Sequence, residues 1–207
     1  MTLDESVLAL SLAKDGGGEA FVKFFDHYRA QLYRMVDLRM DRRIRGRVDP
    51  DDILQDAFVD ALAKLENYLT RDDLPPFLWL RMVVAERLTQ LHRHHLGAQM
   101  RDAGREVSIY SGPFPESSSM ELAVQLAGTL TSPSQAASRS ERVLQLEHAL
   151  NDLDPLDREV LTLRSLELLT NSETAAVLQI SPQAASNRFV RALGRLRSTL
   201  GQIRGEA

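Results

Sequence analysis

The sequence predicts an all-α protein made of two small helical domains joined by a flexible linker. Apolar residues recur at spacings of three and four through the first half, and no stretch alternates apolar with polar residues long enough to make a strand. A run rich in serine, proline and glycine then interrupts the pattern, which resumes as a short capped helix, a tight connection and a basic helix.

The first domain spans residues 19–105. Residues 20–40 carry Phe21, Phe24, Phe25, Tyr28, Leu32, Met35 and Val36 on one face. Asp49-Pro50, an N-cap followed by proline at the first helical position, opens a second helix running to about Tyr68. Its Ile53, Ala57, Ala61 and Leu65 point one way, while Asp52, Gln55, Asp56 and Glu66 point the other. Asp72-Asp73-Leu74-Pro75-Pro76 breaks the chain before a third helix at FLWLRMVVAERLTQLHRHHL. Phe77, Leu80, Val83, Val84, Leu88 and Leu91 form its apolar side, and the lone Trp79 reads as core.

Residues 106–140 read as linker, with one short apolar run from Met120 to Leu130, and residues 1–18 read as a flexible N-terminal segment. The second domain covers residues 141–207. Within it, Asp154-Pro155 and Ser181-Pro182 each combine an N-cap with a proline, Asn171-Ser172 supplies capping groups for SETAAVL, and Gln179-Ile180 forms the turn. On the last helix Ala185, Phe189, Leu193, Leu196, Leu200 and Ile203 share an apolar arc opposite Gln183, Asn187, Arg188, Arg191 and Arg195. A solvated basic face is the ordinary reading of one such helix. After a capped helix and a tight turn, the arrangement predicts a DNA-reading helix, with Arg195 on phosphate and the other four nearest the bases.

Composition narrows the function further. The chain has 207 residues, 43% of them hydrophobic, and no cysteine, which excludes disulfides and thiolate metal sites. The N-terminus lacks the basic-then-apolar order of a signal peptide, and no apolar run reaches membrane-spanning length. A cytoplasmic protein without membrane insertion is expected. The net charge of −4 argues against a general nucleic-acid coat, yet the charge is uneven. Arg188, Arg191, Arg195, Arg197 and Arg204 face only Glu206 after Pro182, and Arg81, Arg87, Arg93, Arg101 and Arg105 form a second basic stretch. The acids gather in DPDDILQDAFVDALAKLE, so two DNA contacts and one protein contact are expected.

Taken in order, these segments resemble the extracytoplasmic-function sigma factors of bacterial RNA polymerase, over roughly residues 19–197. Residues 51–58, DDILQDAF, are similar to the family's acidic region 2.2. The resemblance implies that Asp52, Gln55 and Asp56 dock on the clamp helices of the polymerase core. Residues 77–93 resemble regions 2.3 and 2.4, which implies that Arg81, Glu86, Arg87 and Arg93 meet the melted minus-ten element of promoter DNA. Glu86 departs from the neutral polar residue common there, and an acid at that place accepts from a cytosine amino group. The C-terminal half resembles region 4, implying that Ser181, Gln183, Ala184, Ser186, Asn187, Arg188, Arg191 and Arg195 line the minus-thirty-five reading surface. Ala184 and Ser186 stand where many relatives carry threonine and lysine. An anti-sigma factor is a further partner the resemblance admits. No P-loop or nucleophile motif is present, and neither enzymatic activity nor a cofactor is expected.

Two other readings compete with this one. His92, His94 and His95 raise a zinc site, although no HExxH pattern accompanies them. A helix-turn-helix regulator that binds duplex operator DNA by itself is the alternative function, and it differs in needing no polymerase.

Overall fold

The computed structural model describes residues 18–41, 43–70, 74–96, 119–130 and 136–205, and among them every regular element is helical. The chain divides into two compact units, Met1–Pro115 and Glu116–Ala207.

Unit 1 is built on α1 (Gly18–Arg39), α2 (Pro50–Leu69) and α3 (Pro76–Leu96), each packing on the other two. Phe21, Phe24 and Phe25 of α1 are buried, and the Phe58 ring lies 5.2 Å from Phe21 and 5.1 Å from Phe25. Burying one such ring contributes about 1.5–3 kcal/mol, so this aromatic cluster dominates the core. Asp49 caps α2 through the Asp51 N–H at 2.8 Å, and Asp52 reaches back to the Asp49 N–H, giving the full capping box. Trp79 is core, as its sequence context predicts. It stacks on Tyr68 at 4.3 Å between ring centroids, while the Tyr68 hydroxyl donates to the Leu74 carbonyl at 2.6 Å.

Unit 2 contains α4 (Ser119–Leu130), α5 (Ala136–Asn151), α6 (Pro155–Leu161), a π-turn at Thr162–Leu166, α7 (Asn171–Leu178) and α8 (Pro182–Gly205). Asp154 caps α6 by accepting from the Leu156 N–H at 2.9 Å, as its Asp-Pro pair predicts. The cap of α7 differs from expectation. Thr170 holds that place, its hydroxyl accepting from the Glu173 N–H while the Glu173 carboxylate accepts from the Thr170 N–H. Gln179 ends α7 in the left-handed conformation at φ 52, with Ile180 N–H bonded to the Ala175 carbonyl and Gln179 N–H to that of Ala176.

The stretch expected as linker is not featureless, because α4 lies inside it. Leu122 and Ala123 are buried and α4 packs on α5, so long-range packing supplies order that the surrounding Ser/Pro composition conceals. Residues 136–140 of the expected linker begin α5, while residues 106–118 and 131–135 of it and residues 1–17 lie outside the described residues.

Candidate nucleic-acid and protein interfaces

The outward face of α2 is acidic at its rim and apolar at its centre. Asp52, Gln55 and Asp56 are exposed, as is Glu66, while Ile53, Ala57, Ala61 and Leu65 are buried. Helical periodicity places Val59 and Leu62 on the same strip, and they remain 64% and 41% exposed. Sequence reasoning missed both. Their signal was present, since Val59 follows Gln55 by four residues and Asp56 by three.

Asp56 is joined to α3 by an ion pair with Arg87, and Lys64 pairs in the same way with Glu86. Two candidate DNA residues of α3 are thus tied to the helix expected to carry the protein contact. Arg93 is exposed beyond them. Arg81 is different, because it is only 3% exposed. It shares the arc of Phe77, Val84 and Leu88, which draws its aliphatic stem into the core.

The His94 and His95 rings meet edge-on at 4.9 Å between centroids, and the buried His92 does not join them at the surface. His92 is buried and its Nε2 accepts from the Asp41 N–H at 3.3 Å, whereas His94 and His95 are exposed. Burial holds the His92 imidazole below its ordinary pKa; the Asp41 carboxylate opposes that shift and the Arg43 guanidinium adds to it. Arg43 in turn holds the Asp41 carboxyl down at about 2 through a two-pronged contact at 3.0 and 2.7 Å. Among the described residues no group of three or more His, Cys, Asp or Glu side chains is placed to hold a metal ion.

In unit 2, α7 and α8 meet across the Gln179 turn, and Asn171 donates to the Pro182 carbonyl at 2.8 Å, fastening the two helix starts together. Ser181 caps α8 by accepting from the Ala184 N–H at 3.1 Å. Gln183, Ser186, Asn187 and Arg191 are exposed, and Gln183 Nε2 donates to Asn187 Oδ1 at 3.0 Å, so these two amides form one polar unit. Ala184 is half-buried. Val190, 66% exposed, and Gly194 complete the outward strip and were missed by sequence reasoning.

Arg188 does not join that strip. Its Nη1 donates to Asp157 Oδ1 at 2.6 Å and lies 3.5 Å from Asp154 Oδ1, both acids belonging to the start of α6. Arg195 Nη1 stands 3.8 Å from Asp157 Oδ2. At about 100° per residue, Arg188 and Arg195 sit roughly 110–130° from the centre of the outward strip, where a long side chain reaches the neighbouring helix. The structure therefore turns Arg188 inward, away from the base-reading place the sequence suggested.

Known proteins resemble this chain over most of its length. The family Sigma-70, region 4, matches residues 144–196, which hold α6, α7 and most of α8. The RNA polymerase sigma factor CnrH of Cupriavidus metallidurans is 28% identical over 152 residues, 73% of each chain. The ECF RNA polymerase sigma factor SigD of Mycobacterium tuberculosis is 27% identical over 197 residues, 95% of this chain and 83% of SigD. The solved structure of CnrH in complex with the cytosolic domain of CnrY shares the fold, with a TM-score of 0.54 and 21% identity over 96% of this chain and 98% of that one. Two helical units, a region 4 match and relatives spanning most of the sequence make the chain similar to the extracytoplasmic-function sigma factors of bacterial RNA polymerase.

Proposed function

We propose that this chain binds the polymerase core through α2 and directs initiation at promoters read in two places, by residues 19–105 at the minus-ten element and by residues 141–207 at the minus-thirty-five element. The observation that carries the reading is the outward strip of α2, where Asp52, Gln55 and Asp56 rim the exposed Val59 and Leu62. An apolar centre inside a charged rim is the ordinary anatomy of a protein interface. The acids suit a cationic partner surface.

Docking and DNA capture meet at one contact. A polymerase cation that takes Asp56 displaces Arg87, which then becomes free for a phosphate of the melted strand. Arg93 extends the same cationic edge, and Lys64 offsets the repulsion that Glu86 would exert on DNA. On α8, Gln183 and Asn187 suit base edges and Arg191 a base or a phosphate, with Ser181, Ala184 and Ser186 beside them.

RNA synthesis belongs to the core, and the chain's part is positioning. The partners are the polymerase core and promoter DNA, in the cytoplasm, with an anti-sigma factor as a further partner of the kind such factors take. Among the described residues no helix is long and apolar enough to cross a membrane.

Pull-down with purified core polymerase followed by run-off transcription tests the reading. Core binding and transcripts with defined starts are expected only when both proteins are present. Tight operator binding by the chain alone, with no affinity for core, would overturn it in favour of a stand-alone regulator.

A further inference from the structure

We propose that Arg188 governs promoter reading through Asp157, as a positioning residue, without touching DNA itself. The inference rests on the reading of α8 as the helix that enters the groove.

Asp157 is 2% exposed, and its two carboxylate oxygens meet two arginines of α8 that lie two helical turns apart. Removing one partner from an ion pair buried that deeply is costly. Arg188 is therefore held, and an approaching phosphate would have to displace it. Asp154 adds a second acid on the same guanidinium, and its own position is set by its role as the cap of α6. The helices α6 and α8 pack directly against each other.

Two contacts from one edge of α8 to a single buried carboxylate resist rotation of the helix about its own axis. The first turn of α6 thus sets the angle at which Gln183, Asn187 and Arg191 face outward. With side chains included a helix has a radius of roughly 5–6 Å, so a turn of about 20° moves a side-chain tip by about 2 Å. That exceeds the tolerance of a hydrogen bond to a base edge.

The experiment is selection of random duplex DNA by the full chain assembled with core polymerase, read by sequencing as a base preference at each position of the upstream element. Asp157→Asn and Arg188→Ala are each expected to lower the enrichment of preferred over random duplex by about ten-fold, across all positions together. The double variant is expected to be no worse than either single one. Loss at one position in Arg188→Ala, with an intact profile in Asp157→Asn, would show a direct base contact and overturn the proposal. If Asp157→Asn does not fold, Arg188→Lys decides the matter. A lysine still facing Asp157 keeps the whole profile, while a lysine replacing a two-pronged base reader flattens one position.

A wild-type holoenzyme that selects no upstream element, with Arg191→Ala equally without effect, would strike down the reading of α8 and the proposal with it. Normal wild-type selection with a single-position loss removes the proposal alone.

Discussion

Val59 offers a quantitative test of the α2 strip. Fully burying a valine side chain contributes about 1.5–3 kcal/mol. Val59 is 64% exposed, so roughly 1–2 kcal/mol of that remains available to a docking partner. Truncation to alanine removes two of the three side-chain carbons and forfeits about 1 kcal/mol of it, a weakening of about five-fold in core affinity. Folding moves the opposite way. Alanine is the better helix former at this exposed position, so Val59→Ala keeps or slightly raises the melting temperature. Titration of labelled chain with core polymerase, beside thermal melts of the free chain, measures both. An affinity within about two-fold of wild type would show that Val59 stays in water and that the strip is not the docking surface.

Three further outcomes are expected. Asp56→Arg sets two cations side by side at the Arg87 contact and abolishes core binding; the fold persists because an exposed pair contributes only about 0–1 kcal/mol, and normal pull-down would remove Asp56 from the interface. The buried His92 takes up a proton less readily in the fold than in the unfolded chain, so stability falls as pH drops through about 6.5 and is indifferent above it. In His92→Gln, which keeps an acceptor for the Asp41 N–H, urea unfolding between pH 7 and 5 should show a shallower loss, and an unchanged slope would exclude His92 as its source. Gln179→Gly relieves a left-handed residue and stabilises unit 2 by about 0.5–1 kcal/mol, raising its urea midpoint; a lower midpoint would mean that the glutamine side chain contributes to the turn.

Much of the fold was legible because its boundaries carry local chemistry. Asp49-Pro50, Asp154-Pro155 and Ser181-Pro182 each open a helix where they should, since a cap and a proline act through the nearest backbone groups. The capping box of Thr170 with Glu173 was equally readable at the spacing of three, but Asn171-Ser172 offered competing oxygens closer to the apolar run. The misplaced residues are those whose fate is settled across helices. Periodicity sorts Arg188 to the polar side of α8, yet it says nothing of Asp157 on α6, which claims the guanidinium. Arg81 fails for the converse reason, because its charge suggested a surface that its position on the arc of Phe77 and Leu88 denied. The α4 helix escaped because its burial depends on α5.

The wide turn at Thr162–Leu166 has a bearing on how the chain tolerates change. A π-turn holds one residue more than an α-turn of the same span, here closed by the Glu167 N–H on the Thr162 carbonyl at 3.0 Å. Deleting a single residue there would leave a regular helix, but its end at Leu166 would be wound back by about 100° relative to Asp157. The surplus residue sets the direction in which the chain leaves α6 for α7, so lineages that lose it must re-seat the helices that follow against α6.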